Sequence, residues 1–245
     1  SLLAVTAEDK NSLDEWMLTS LNKKIEEVTK LMDGYDIRKS VDIAMFDMLK
    51  DISWYLKRGA NKETAKEVAS TWVRMMMPFT PFVCEELWQD IGEGLASNTK
   101  WPDYNEEQVN EQSLLSEEMI MGLEEDVKKV MKLTNTEKPK KIMLIVAPEW
   151  KRVVYRNAAG IANPKALMQL VMGDPAVKKH GKDAAKYVQF LTKHAAELTK
   201  EVLTEEQESE ALADAVEFLT DKFGAKVVVE SADSTDNPRA KNAIP

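Results

Sequence analysis

The chain has 245 residues, of which 44% are apolar and 31% charged, with nine glycines, nine prolines and one cysteine. That length makes one large domain or two ordinary ones, with two the expectation, and the composition excludes fibrous, disordered and disulfide-stapled classes. The net charge of −9 argues against a nucleic-acid partner only while it is taken as a total.

The charge is unevenly placed. Residues 1–122 carry 13 Lys and Arg against 23 Asp and Glu, 127–200 carry 16 against 5, and 201–245 carry 4 against 11. A basic block after an acidic half points to a polyanion met by one part of the chain, the alternative being solvated lysines on helix surfaces. No run approaches the roughly 20 apolar residues that span a bilayer, so no membrane contact is expected. SLLAVTAEDK lacks the basic start of a signal peptide, so the cytoplasm is the expected location. The missing initiator methionine is read as a sign that something precedes Ser1.

Ser12-Leu-Asp-Glu15 spells a capping box, and apolar residues at Leu13, Trp16, Met17, Leu21, Ile25, Val28 and Leu31 predict one amphipathic helix closed by Gly34. A second helix is predicted from Ile37 to Gly59, with Val41, Ala44, Met48, Leu49, Ile52 and Tyr55 on one stripe. Ala65, Val68, Ala69, Trp72, Val73 and Met76 make a third. Proline restricts the residue before it and lacks an amide proton, so Pro78 stops that helix and Pro81 starts a fourth. The joint should be an apolar corner filled by Met75, Met76, Met77, Phe79, Phe82, Val83, Leu87 and Trp88, with Cys84 a small buried core residue. Glu85 and Glu86 are adjacent, and helical neighbours diverge by about 100°, so they are not read as an acid/base pair.

Residues 92–113 read as a connector with a turn at Trp101-Pro102-Asp103, followed by a helix from about Glu117 to Leu133. The period then changes. Lys141 to Ala147 is a short continuous apolar run between Pro139 and Pro148, the pattern of a buried strand. A helix from Glu149 follows, Asn163-Pro164 and Asp174-Pro175 look like helix starts, a helix is predicted from Thr204 to Phe223, and Lys226 to Glu230 is a second strand. The expected class is mainly α, an antiparallel helical bundle over residues 1–122 followed by a small α+β domain over 123–245.

His180 and His194 lack cysteine or glutamate at ligand spacing, Gly92-Glu-Gly94 lacks the third glycine and preceding strand of a phosphate loop, and no nucleophile-elbow pattern occurs. No catalytic residue, metal site or cofactor is expected in this chain.

Arg74-Met-Met-Met-Pro-Phe-Thr-Pro-Phe-Val-Cys-Glu-Glu-Leu-Trp88 resembles the segment around which class I aminoacyl-tRNA synthetases of the leucine, isoleucine, valine and methionine group build their helical anticodon-binding domain. Leu13-Asp-Glu-Trp-Met-Leu18, Asp51-Ile-Ser-Trp-Tyr-Leu-Lys-Arg-Gly59 and Asn237-Pro-Arg-Ala-Lys-Asn-Ala-Ile-Pro245 are similar to the leucyl-tRNA synthetases of archaeal and eukaryotic type. The likeness spans nearly the whole chain and is strongest over 12–102. Where that family commonly has histidine after PFTP, this chain has Phe82. The family usually continues past the final proline into a short strand, so the resemblance implies C-terminal truncation.

The resemblance also implies a function. This would be the noncatalytic, tRNA-docking part of a leucyl-tRNA synthetase, whose absent catalytic domain uses ATP and magnesium to leucylate tRNA. Its partners would be leucine tRNA, body and long variable arm, and the rest of the parent chain, with no DNA. Phosphate contacts are expected from Lys151, Arg152 and Arg156 on the helix after the first strand, from Lys178, Lys179, Lys182 and Lys186 further on, and from Lys57 and Arg58 in the bundle. The alternatives are the same region of an isoleucyl, valyl or methionyl enzyme, a stand-alone scaffold that holds protein partners through an apolar groove, or an enzyme in its own right.

Overall fold

The computed structural model describes every residue except 197, 199 and 200. The chain divides into two compact units, Ser1–Glu117 and Glu118–Pro245.

The first unit is built from helices α1 (Ser12–Asp33), α2 (Ile37–Val41), α3 (Met48–Arg58), α4 (Lys62–Met76) and α5 (Pro81–Trp88), with the start of α6 (Glu111–Leu133). The cap of α1 sits one residue earlier than the Ser12 spelling predicts. Asn11 is extended, its side chain accepts from the Leu13 amide at 3.0 Å, and the Asp14 carboxylate takes the Asn11 amide at 2.8 Å. Asparagine serves as well as serine there, so the spelling fitted two registers.

The predicted second helix is continuous from α2 to α3 but passes through a π-helical turn at Asp42–Asp47. The Trp72 indole on α4 donates to the Ala44 carbonyl inside that turn at 2.7 Å. A side chain from another helix thus supports the irregular ladder, a contact no local pattern announces. Gly59 ends α3 at φ 119°, a left-handed conformation that residues with a β-carbon rarely adopt.

A buried polar network sits where α1, α3 and α4 meet. The Tyr55 hydroxyl donates to Asp14 and accepts from the Asn61 amide at 2.9 Å. Asn61 in turn caps α4 through the Glu63 and Thr64 amides and donates to the Glu8 carbonyl at 2.7 Å. Burial, reinforced by the Asp14 hydrogen bond, pushes the Tyr55 phenol far above its ordinary pKa.

The proline joint turns the chain as expected, with Pro81 in the first turn of α5. Its apolar filling is narrower than expected. Met75, Met76, Cys84 and Trp88 are buried, whereas Phe82 is 90% exposed and Val83 and Leu87 also face outward. An eight-residue helix buries one stripe, and Cys84 and Trp88, four apart, occupy it. Glu85 has a structural task, accepting the Ala96 and Ser97 amides at 2.8 and 2.9 Å.

The connector is pinned along α1. Thr19 bridges the Gln108 carbonyl and the Asn110 amide, Asn22 meets the Asn105 amide and the Gln108 side chain, and the Trp101 indole donates to Thr29 at 2.8 Å. α6 therefore starts at Glu111, six residues before the predicted Glu117. Glu117 itself is buried, accepting from Arg58 at 2.8 Å and from the Trp54 indole at 2.7 Å.

The second unit holds the rest of α6, strands β1 (Lys141–Val146) and β2 (Lys226–Ser231), and between them α7 (Glu149–Ala158), α8 (Pro164–Val171), α9 (Pro175–Lys178), α10 (Gly181–Thr192) and α11 (Glu205–Phe223). The strands pair in parallel, Lys141 opposite Lys226 and Val146 opposite Ser231. α8 and α9 start at Pro164 and Pro175 as predicted, capped by Asn163 and Asp174. Thr204 and Gln207 form a reciprocal capping box on α11, and Gly224 closes it in the left-handed region. The core gathers Trp150 and Val154 from α7, Leu167 and Val171 from α8, Val177 from α9, and Val188 and Leu191 from α10.

Candidate nucleic-acid interface

The predicted phosphate-binding cations fall into two groups. Lys178, Lys179, Lys182 and Lys186 are exposed. Lys178 ends α9 and Lys179 follows it, and Lys182 and Lys186 are one turn apart on α10. None of the four takes part in an ion pair among the described residues, so their charge faces solvent.

The α7 cations differ. Arg152 is 0% exposed, and its guanidinium donates to the Leu203 carbonyl at 2.9 Å, the Ala147 carbonyl at 3.0 Å and Glu208 at 2.5 Å. It joins α7 to the approach to α11 and has no surface to offer a phosphate. Its partner Glu208 is shifted upward, because burial outweighs the attraction of Arg152.

Lys151 is 5% exposed and donates to the Lys241 and Ala243 carbonyls at 2.7 and 2.6 Å, holding the C-terminal segment. Burial lowers its pKa, partly countered by Asp183. Arg156 is half-buried and reaches Glu149 at 3.3 Å. The expectation that all three α7 cations contact RNA is therefore corrected for Arg152 and Lys151. Alternating charge and apolar residues do not reveal which cation the fold turns inward.

In the first unit, the Arg58 side chain is buried against Glu117, which removes it from the contact set for the same reason. Lys57 is exposed and lies 5.0 Å above the Trp54 ring.

The second unit also holds a cleft of about 840 Å³ that the sequence did not announce. One wall carries Trp150, His180, Tyr187 and Phe190, and the other is the segment from Ala232 to Ile244 that Lys151 holds. His180 stacks on Trp150 at 4.8 Å, Trp150 meets the edge of Tyr187, and Tyr187 lies nearly parallel to Phe190. Three residues per step along α10 places Tyr187 and Phe190 on one side, but the facing wall comes from more than 40 residues later.

Among the described residues, no group of three His, Cys, Asp or Glu side chains is placed to hold a metal ion, and no helix is long and apolar enough to cross a membrane.

A helical unit followed by a unit with exposed cations defines a class that comparison makes specific. The family model for the anticodon-binding domain of tRNA ligase matches residues 14–144, and the chain belongs to that family. Its relatives include leucine–tRNA ligases: that of Methanothrix thermoacetophila is 36% identical over 244 residues, or 95% of this chain and 25% of the relative. The enzyme of Pyrococcus abyssi is 34% identical over 241 residues, 96% of this chain and 24% of the relative. That of Methanocaldococcus jannaschii is 32% identical over 247 residues, 98% and 25%. The chain thus spans about a quarter of the length of the curated relatives it matches.

Proposed function

We propose that this chain is the tRNA-docking part of a leucyl-tRNA synthetase, binding leucine tRNA while ATP-dependent leucylation is carried out by a catalytic domain elsewhere in the parent. The observation that carries the reading is the group Lys178, Lys179, Lys182 and Lys186, exposed and outside any ion pair among the described residues, in a chain of the anticodon-binding family. Exposed ammonium groups bind phosphates by displacing condensed counterions, and a rigid helical base fixes where they meet the RNA. Selection by shape then suits a tRNA with a long variable arm, because an A-form groove hides its base edges.

The test is binding of the chain to leucine tRNA, and to a tRNA without the long arm, over a range of salt. Tighter binding to leucine tRNA is expected. Changing Lys178, Lys179 and Lys182 to Glu should flatten the salt dependence by about one unit of logarithmic slope per lost contact. Equal affinity for both RNAs, or an unchanged slope, counts against the reading.

A second reading has an observation behind it. The outward Phe82, Val83 and Leu87 of α5 form an apolar face suited to a protein contact, with the rest of the parent synthetase or, in a scaffold, with another protein. Protein capture that depends on Phe82 together with no tRNA binding would favour it.

A further inference from the structure

We propose that the cleft of the second unit takes an unstacked nucleobase of a bound RNA, stacked on Phe190, while Lys182 and Lys186 meet the flanking phosphates. The inference rests on the RNA-docking reading and names a site within it.

Three features point to a base. The first is an aromatic wall with a half-exposed ring: Trp150 and Tyr187 are largely buried, but Phe190, between Tyr187 and the tilted His194 ring at 5.5 Å, is 45% exposed and lines the cavity. A large apolar ring left half in solvent, beside a cavity it could have helped fill, is a surface for another flat ring.

The second is size and enclosure. About 840 Å³ is ample for a nucleobase, and the facing wall is fixed by two hydrogen bonds from the Lys151 ammonium to main-chain carbonyls, so the cleft exists before anything enters.

The third is charge. Inside the cleft, Asp183, Asp233 and Asp236 offset Lys151, Lys186 and Lys241, and the ammonium of Lys151 is already committed. That balance disfavours a free phosphate or nucleoside triphosphate as the occupant. It suits a neutral base whose N–H groups the carboxylates can accept from. Lys186 at the lining and Lys182 one turn earlier on α10 then stand where the chain carrying that base would run. Base on ring and phosphate on lysine is how single-stranded RNA is held without a sequence code.

The full chain would be titrated with labelled single-stranded oligouridylate and oligoadenylate, with a hairpin RNA of similar charge, and with leucine tRNA. Phe190→Ala is expected to weaken single-strand binding about fivefold or more, in line with one stacked base, and to leave the hairpin unchanged. Phe190→Trp should restore it. A thermal melt of each variant checks that the half-exposed position has not disturbed the core.

Phe190→Ala binding single strands as well as the parent chain overturns the inference, as does equal weakening for the hairpin. If the parent chain binds tRNA with the expected salt dependence but no single strand, the cleft inference falls and the docking reading stands. If it binds no RNA at all, both fall.

Discussion

Replacing Arg152 with alanine separates the two roles a cation on α7 could have. As a phosphate ligand it would lower RNA affinity and leave stability alone. Its geometry dictates the opposite. The side chain is fully buried and makes three hydrogen bonds, two to the Leu203 and Ala147 carbonyls and one to the buried carboxylate of Glu208.

Hydrogen bonds from a charged donor contribute about 1.5–3 kcal/mol each, which taken alone would overshoot. The upward-shifted Glu208 can take up a proton once its partner is gone, which limits the penalty of an unpaired charge. Removing one member of a buried pair costs about 3–5 kcal/mol, and that is the expected loss. For a unit of this size it corresponds to a fall in melting temperature of roughly 10–20 °C.

Peptide-resolved hydrogen exchange is the assay of choice. Protection should drop across α7, α11 and β1, while α1 and α4 keep theirs, because every partner of Arg152 lies in the second unit. Arg152→Lys should recover little, since an ammonium cannot span the three acceptors that the planar fork reaches. A variant that melts within about 1 kcal/mol of the parent chain yet loses RNA binding would refute the structural role.

Two further outcomes follow from the buried groups. Tyr55→Phe leaves the Asn61 amide without its acceptor and removes the hydroxyl donor of Asp14 Oδ1, the other carboxylate oxygen keeping the Asn11 amide, so urea denaturation should show a loss of about 1–3 kcal/mol from the first unit, and a change under about 0.5 kcal/mol would count against the network. Glu208 has a raised pKa in the folded protein, so it binds its proton more tightly there than in the unfolded chain. The stability linked to it is full below about pH 4.5 and is lost as pH rises through the folded value. Glu208→Gln should flatten that limb of the stability profile, and an unaltered profile would contradict the assignment.

The helices were legible because their signals are local. Gly34, Gly59, Pro81, Asn163-Pro164, Asp174-Pro175 and Thr204 each mark a terminus through the backbone's own requirements, and each stands where the sequence placed it. The two short strands were equally plain as apolar runs between breakers. The π-helical turn was not, because it depends on Trp72 reaching across from α4, whereas the start of α6 had a local mark that was passed over, Asn110 accepting the Gln112 amide at 2.9 Å, just after a turn capped by Asn105 and pinned to α1 by Thr19 and Asn22.

The family resemblance was also carried by sequence, since it lies in residues such as Arg74 to Trp88 whose pattern survives whatever each side chain touches. What only tertiary structure decided was the use of each charge and ring. Lys151, Arg152 and Arg156 look alike along one helix, yet Arg152 ties α7 to Glu208, Lys151 holds the C-terminal segment, and Arg156 is half-exposed. Tyr187 and Phe190 share a helix face, yet one belongs to the core and the other ends at a cleft. Helical period fixes which residues share a side. Whether that side meets carbonyls, a carboxylate or solvent is set by segments tens of residues away.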